Sequence, residues 1–214
     1  MRFNLIYHFP NVKSENWLVQ KVANGWWMGN IVSVESGYPF SPLVANQRSN
    51  SGLWAGDQGE WTNYSTQTVP YTNLLDQNGN PQSGSFVPFN KKTVITGNPN
   101  EWFNVNMFVL GPVGQLGNAK RNILRGPGLG TWDFSLVKDT SVRGLGEKGM
   151  VEFRAEFFNI LNRANFDVPL NGYIFNGDNS ITSPYGEAPL ASAASITDTV
   201  TTSRQIQFAL KVIF

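Results

Sequence analysis

The chain has 214 residues, of which 16 are basic and 15 acidic, so its net charge of +1 gives no electrostatic reason to expect nucleic acid or an acidic partner. It contains no cysteine, which excludes a disulfide framework and thiolate metal sites. Charged residues make up only 14% of the chain, so the chain either stays soluble through Asn, Gln, Ser, Thr and Gly or faces something other than water over part of its surface.

Alternation of apolar and polar residues predicts strands and almost no helix. The first predicted strand, RFNLIYHF, has an aromatic residue or leucine at every second position. The second, WWMGNIVSVESG, alternates less clearly, so its facing stays open. The five predicted strands cover residues 2–9, 26–37, 131–140, 151–157 and 206–214.

The fourth predicted strand, VEFRAEF, alternates most clearly. Its charged side chains on one face would be hard to bury in a dry core, because each needs a partner or water. They predict a wet, lumen-facing side and an apolar outer side. The residues predicted to face outward are Val151, Phe153, Phe157, Phe208, Leu210 and Val212. The residues predicted to face inward are Glu152, Arg154, Glu156, Gln207 and Lys211.

The connections between these strands alternate between short and long. About ninety residues separate the second and third strands and more than forty separate the fourth and fifth, whereas a short glycine-rich turn joins the third and fourth. Loops of compact soluble domains are mostly about 4–6 residues long. Outer-membrane barrels instead have short periplasmic turns and long extracellular loops. The expectation is an all-β fold: an antiparallel meander that forms part of a transmembrane β-barrel, incomplete on its own, with long extracellular loops.

The first long connection is rich in Asn, Gln, Ser, Thr and Gly between residues 43 and 100. Residues 105–111, VNMFVLG, have strand character and suggest an extra hairpin. The N-terminal residues lack a basic region that leads into an apolar stretch, so they do not predict a signal peptide. If the protein is exported, the chain is expected to be a fragment.

Three segments resemble the C-terminal end of TonB-dependent outer-membrane receptors, particularly the group with an N-terminal carboxypeptidase-regulatory-like domain. They are GNAKRNILRGPGLGTWDFSLVKDTSV, VEFRAEFFNILNRANF and RQIQFALKVIF. The segment GWWMGNIVSVESGYPFSP is similar to an earlier strand of the same barrels. The resemblance implies that residues 1–214 form a C-terminal part of such a barrel, in the outer membrane of a Gram-negative cell.

The resemblance also implies partners and a transport function. Members have about 22 strands, a plug that binds substrate and a segment that contacts TonB, and neither plug nor TonB segment is recognisable here. The expected partners are outer-membrane lipid, the barrel-assembly machinery and the remainder of the receptor, with TonB reached only through the plug. The terminal alternation matches the signal that the assembly machinery recognises, formed by Phe208, Leu210, Val212 and Phe214.

Three patterns that could suggest catalysis are better interpreted as structural features of this chain. GLGEKG, residues 144–149, fits a dinucleotide-binding pattern, but a strand is predicted after it where that motif needs a helix. Glu152 and Glu156 lie about 13 Å apart along a strand, beyond the about 5–9.5 Å of glycosidase carboxylates, so a ladder with Arg154 is favoured. His8 is the only histidine and lacks companions for a relay or a zinc site. No enzyme activity and no cofactor are predicted.

Aromatic residues leave two functions open. Trp54, Trp61 and Tyr64 could stack on a ligand or simply fix a long loop. Trp26, Trp27 and Trp132 are predicted at the membrane interface. The alternative to a transport barrel is a secreted carbohydrate-binding β-sandwich that uses the loop aromatics, and a β-rich hydrolase would need a close carboxylate pair.

Overall fold

A computed structural model describes residues 1–50, 60–76, 79–142, 144, 146, 149–169 and 172–214. Within these ranges the chain is all-β, with one five-stranded antiparallel sheet and five smaller sheets. The strands are β1 (Arg2–His8), β2 (Trp26–Glu35), β3 (Pro39–Phe40), β4 (Leu43–Val44), β5 (Glu60–Trp61), β6 (Asn63–Tyr64), β7 (Val69–Leu75), β8 (Pro81–Phe86), β9 (Ile95–Asn98), β10 (Glu101–Phe103), β11 (Phe108–Val109), β12 (Leu124–Arg125), β13 (Leu129–Ser141), β14 (Met150–Phe158), β15 (Tyr173–Phe175) and β16 (Gln205–Ile213). Helix α1 covers Trp17–Ala23, and a 3₁₀ helix covers Val105–Met107.

The chain divides into two compact units. The sheet unit comprises Met1–Ser36, Gly128–Asn165 and Thr199–Phe214. The connection unit comprises Gly37–Pro127 and Phe166–Asp198. The connection unit is therefore built from the two long connections between strands of the sheet unit.

The sheet unit contains the five predicted strands in the order β1-β2-β13-β14-β16. All neighbours are antiparallel, and the predicted strands are confirmed with small shifts at their ends. The end of β2 pairs with the start of β13, at Glu35 and Leu129, and the end of β14 pairs with the start of β16. Both long connections consequently leave and re-enter at one end of the sheet, which we call the loop end; the opposite end is the turn end.

Helix α1 lies in the connection between β1 and β2, at the turn end, where almost no helix was predicted. Its N-cap is Asn16, whose side-chain oxygen accepts a hydrogen bond from the N–H of Leu18 at 2.9 Å. Gly25 then turns the chain into β2 with a φ of +79°, and a Cβ there would lie 2.2 Å from the carbonyl oxygen of Asp139. No helix in the described residues is long and apolar enough to cross a membrane.

The connection unit has its own apolar core, although its sequence reads as polar loop. Tyr71 lies against this core, and burial raises its pKa. The predicted strand at 105–111 is partly wrong, since a 3₁₀ turn precedes the two-residue β11. The fully buried apolar residues of this core are Val44, Phe86, Val94, Phe103, Met107, Phe108, Val109, Leu110, Ala119, Leu124, Ile174, Phe175 and Ala194.

A buried arginine ties distant segments of the connection unit together. Arg48 is 2% exposed, and its guanidinium donates to the carbonyl oxygens of Gly111 at 3.1 Å, Ile181 at 2.6 Å and Asp178. These bonds satisfy backbone acceptors of two segments that are far apart in sequence. The cation therefore holds irregular backbone where no strand pairing does so.

Two buried carboxylates complement this arginine. Glu60 accepts hydrogen bonds from the backbone N–H groups of residues 48–49, and Glu187 accepts them from those of residues 176–178. Both side chains belong to residues that are only 7% exposed. Carboxylates that accept several N–H groups stabilise a turn in the way that a helix cap does.

Candidate functional site: the polar face of the sheet

The register of the five strands sorts their side chains onto two faces. Successive residues of a strand point to opposite faces, and paired residues share a face. The apolar face carries Phe3, Leu5, Tyr7, Phe9, Trp26, Met28, Asn30, Val32, Val34, Trp132, Phe134, Leu136, Lys138, Thr140, Val151, Phe153, Ala155, Phe157, Ile206, Phe208, Leu210 and Val212. The polar face carries Arg2, Asn4, His8, Trp27, Ser33, Glu35, Thr131, Asp133, Ser135, Asp139, Glu152, Arg154, Glu156, Gln207 and Lys211, together with the apolar Ile6, Ile31, Val137, Phe158 and Ala209.

Many large side chains on the apolar face are exposed. Phe208 and Leu210 are 66% and 68% exposed. The polar groups on this face have partners nearby: the Asn30 oxygen accepts a hydrogen bond from the Trp132 indole at 3.0 Å. A continuous apolar surface of this extent is uncommon on a soluble monomer and is typical of a surface that contacts lipid or another apolar partner.

Three charged residues of β14 form a ladder on the polar face. The Arg154 guanidinium lies 3.0 Å from Glu152 Oε1 and 3.4 Å from Glu156 Oε1. On the neighbouring strands, Glu152 pairs with Lys211 and Asp139. Because both glutamates contact the same arginine, the arrangement suits charge compensation on a wet surface better than proton transfer.

Trp27 joins this ladder, so its predicted position at the membrane interface is wrong. Its indole N–H donates to Asp139 Oδ2 at 3.0 Å, and its ring lies 6.0 Å from the Arg154 guanidinium and 5.8 Å from the His8 ring. Trp26 and Trp27 are consecutive in a strand and must point to opposite faces. That simple rule, together with the pairing to β13, is the signal that the sequence interpretation missed.

Asp139 has an oxygen with unused hydrogen-bonding capacity. Its Oδ1 is buried and has no hydrogen-bond partner among the described residues. A buried carboxylate oxygen without a protein partner usually binds water. This part of the polar face therefore favours water or a polar ligand group beside Trp27.

A groove of about 280 Å³ lies on the polar face. Gly29 forms part of its floor, since a Cβ there would lie 2.7 Å from the Ser135 hydroxyl. Its lining includes Ile6, Phe158, Asp133 and Glu156 among others, which combines apolar surface with two carboxylates. The described residues contain no cluster of three or more metal-ligating side chains. The groove can hold water or a small polar molecule beside an apolar wall.

The four residues of the predicted assembly signal lie at the end of the chain. Phe208, Leu210 and Val212 follow each other along the apolar face of β16, which is an edge strand of the sheet. Phe214 lies one residue beyond the end of β16 and is 92% exposed. All four are accessible, and their recognition by the assembly machinery stays a prediction.

The loop aromatics and the glycine motif have structural roles where they are described. The Tyr64 ring lies 4.3 Å from that of Phe89 in the connection core, which favours the loop-fixing interpretation. Trp61 lies in β5, and Trp54 lies outside the described residues. Strand β14 follows the motif at 144–149, as the turn interpretation requires, and residues 145, 147 and 148 lie outside the described ranges.

The two-sided sheet has the side-chain pattern of a membrane barrel wall, and a family comparison agrees. The model of the outer membrane beta barrel domain matches residues 1–207. The chain belongs to this outer-membrane β-barrel family. No curated protein and no solved structure matches it.

Membership of the outer-membrane β-barrel family confirms the predicted fold class and location. The protein is an outer-membrane protein whose described strands form an open part of a barrel wall. The alternative of a secreted β-sandwich is therefore wrong. Sequence reasoning assigned Trp27 to the membrane interface, and only the strand register reveals its surroundings on the polar face.

Proposed function

We propose that this outer-membrane β-barrel chain is part of a TonB-dependent receptor that takes up a substrate across the outer membrane. The proposal depends on one observation: the sheet has an apolar face over all five strands, and its opposite face carries the charged ladder of β14. The apolar face meets lipid, and the polar face lines the passage. The three motif segments that resemble such receptors support the finer assignment.

The long connections belong outside the cell in this proposal. Both leave the loop end of the sheet, whereas the 142–149 turn and the connection that carries α1 lie at the turn end. In outer-membrane barrels the long connections are extracellular and the short ones periplasmic. The connection unit, with its own core, would then be the part that a substrate meets first.

The edges of the sheet indicate where the remainder of the receptor attaches. Strands β1 and β16 each have one neighbour among the described strands. Transmembrane barrels close with about eight strands or more, and unpaired strand edges do not face lipid. We propose that further receptor strands pair with both edges and that a plug fills the lumen and contacts TonB.

The proposal includes no catalysis by this chain. Arg154 occupies the carboxylates of Glu152 and Glu156, and water or substrate passes over them. Energy for transport comes from TonB acting on the plug, and the polar face supplies a wet, charged wall.

The test is a growth comparison in the host bacterium. A strain that lacks this gene and a strain that lacks TonB are grown on a panel of single carbon, nitrogen and iron sources. We expect at least one source on which both strains show the same defect and the double deletion adds nothing. A gene-deletion defect that is unaffected by the state of TonB would refute TonB-dependent uptake and leave only the outer-membrane assignment.

A further inference from the structure

A second cavity lies at the turn end of the sheet, on the apolar face. It measures about 430 Å³. Three of its wall residues belong to the apolar face, and the others come from α1 and the segment that precedes it. The wall consists of Phe9, Pro10, Val12, Ala23, Trp26 and Leu136. Because the crevice opens onto the surface proposed to meet lipid, it is continuous with that surface.

Hydrogen bonds fix the walls of this crevice. The Asn24 side chain accepts from the N–H of Val12 at 2.6 Å and donates to the Val12 carbonyl at 3.1 Å. The Trp26 indole donates to the carbonyl of Val22 at 2.7 Å, which ties the strand to the helix. The N–H of Phe9 donates to the Trp26 carbonyl at 3.0 Å. The crevice is therefore preformed, and a ligand has little backbone ordering to bring about.

Helix α1 extends the apolar surface beyond the crevice. It has no buried residue, and Trp17, Leu18 and Val22 are 65%, 52% and 67% exposed. Gln20 bonds through its side chain to the Ser14 carbonyl, which holds the helix to its own connection. A short helix with exposed Trp, Leu and Val beside a membrane face is typical of an element that lies in the lipid headgroup boundary.

Two lysines lie close to the residues that line the crevice. The Lys138 ammonium donates to the carbonyl oxygens of Asn24 and, at 3.1 Å, Asp139, which leaves one N–H for a ligand. It lies 5.8 Å from the centre of the Trp26 ring, which is a wall of the crevice. Lys21 lies in the last turn of α1, two residues before the wall residue Ala23. Two cations close to an apolar slot match a phosphate attached to an acyl chain.

We propose that this crevice binds one phospholipid of the periplasmic leaflet, with an acyl chain between α1 and the apolar face and its phosphate at Lys21 and Lys138. The inference rests on the proposed contact of the apolar face with lipid and not on TonB-dependent transport. Charge complementarity at the rim and the apolar wall select this occupant over a soluble anion, which would have no use for the slot. A polar peptide would leave its backbone groups unpaired against the wall.

The experiment uses the protein purified from outer membranes in mild detergent and titrated with dioleoylphosphatidylglycerol. Native mass spectrometry counts the lipids retained on each folded molecule. We expect one lipid retained above the detergent background. Lys21→Gln and Lys138→Gln should each weaken its retention roughly fivefold, the value of one lysine near an anionic lipid surface. Ala23→Phe should abolish retention by filling the slot.

Matched controls separate this site from general lipid attraction. Lys92→Gln, in the connection unit, should retain the lipid as the wild type does, and Lys138→Arg should restore binding that Lys138→Gln loses. Inorganic phosphate should compete poorly. If Ala23→Phe lacks a heat-modifiable folded form, Val12→Phe fills the slot from the connecting segment instead.

Retention that is unchanged in the lysine variants and in the slot-filling variant would overturn the proposal. Equal competition by inorganic phosphate would also overturn it, because the acyl chain would then contribute nothing. A wild-type protein that retains no lipid would overturn the site as well. Lipid contact of the apolar face is tested separately, by the folding yield of Phe153→Arg in the outer membrane, so the two failures are distinguishable.

Discussion

Neighbouring residues of β14 lie on opposite faces of the sheet, one apolar and one polar. Phe153 is 37% exposed on the apolar face, where its ring stacks on that of Phe208 at 6.2 Å. Glu152 lies on the polar face, with 15% of its side chain exposed and its carboxylate bound to Arg154. The same substitution at both positions therefore compares the two faces directly.

Phe153→Arg should cripple assembly, whereas Glu152→Arg should be far milder. An arginine on the lipid face near the membrane centre costs about 2–4 kcal/mol, but on a wet face it mainly disturbs the charge ladder. The measurement is the amount of heat-modifiable folded protein in the outer membrane for the two variants side by side. Greater damage from Glu152→Arg would mean that the polar face is dry and packed.

Arg48→Met should destabilise the connection unit. The substitution keeps most of the side-chain volume but leaves the carbonyl oxygens of Gly111, Asp178 and Ile181 without their donor. Each buried acceptor left unpaired costs about 1–3 kcal/mol. Thermal melting followed by circular dichroism should show the loss, and Arg121→Met, at an exposed position of the same unit, should melt like the wild type.

The stability of the connection unit should decrease at low pH, because the Asp178 carboxylate becomes protonated. Hydrogen bonds from the Ser180 N–H, at 2.7 Å, and the Ser180 hydroxyl, with the charge of Arg48, lower the pKa of this carboxylate. The charged form therefore stabilises the folded state above the ordinary pKa of about 3.9, and this contribution disappears as the pH falls through the lowered pKa. Melting temperatures of the wild type and Asp178→Asn should differ at pH 7 and converge in acid. Glu101→Gln, also exposed in this unit, serves as the control, and a constant difference for Asp178→Asn would contradict the linkage.

At the scale of elements, β16 pairs along one edge and carries the residues of the predicted assembly signal. Its inner edge pairs with β14 over nine residues, from Met150–Ile213 to Phe158–Gln205. Its apolar side chains lie in a row that ends near Phe214. The pairing explains why the last strand is ordered, but it does not involve the Phe214 side chain, which is almost fully exposed.

Phe214→Ser should reduce assembly more than it reduces stability. The prediction follows from the proposed signal formed by Phe208, Leu210, Val212 and Phe214. The measurement compares the amount of folded protein in the outer membrane with the melting temperature of whatever has folded. An unchanged yield would remove the recognition role, and a lowered melting temperature at normal yield would assign Phe214 to packing.

Alternation of apolar and polar residues predicted the strands of the sheet, because one face of each strand lies in an apolar surface and the other in a polar one. It was less informative for β2, where Trp26 and Trp27 are both aromatic and only the pairing with β13 assigns them to faces. Helix α1 is only seven residues long and rich in Val, which has low helix propensity, so its Asn16 cap was the one clear signal.

The core of the connection unit could not be predicted from period at all. Its elements are mostly two to four residues long, too short to repeat a pattern. Phe86, Phe103 and Phe108 are fully buried together, although they are scattered through polar sequence. Arg48 and the carboxylates of Glu60 and Glu187 bind backbone of distant segments, a relationship that only the folded chain displays.

At the scale of the whole molecule, the absence of cysteine makes the proposed orientation testable. Lys92→Cys places a thiol in the connection unit, and Gly144→Cys places one in the 142–149 turn, where a side chain has open space. A membrane-impermeant maleimide added to intact cells should label the first variant only. Both should react after the outer membrane is permeabilised, and labelling of Gly144→Cys alone in intact cells would invert the orientation.

The separation of the apolar core from the sheet has a calorimetric consequence. In the described residues of the sheet unit only Val137 and Ala155 are buried apolar side chains, whereas the connection unit contains the whole core cluster. The heat capacity of unfolding comes mainly from apolar surface that becomes exposed to water. Side chains that stay in lipid contribute little to it. The heat-capacity step of this protein should therefore belong to its connections, and the temperature dependence of their folding, including weakening in the cold, should be that of a small water-soluble domain.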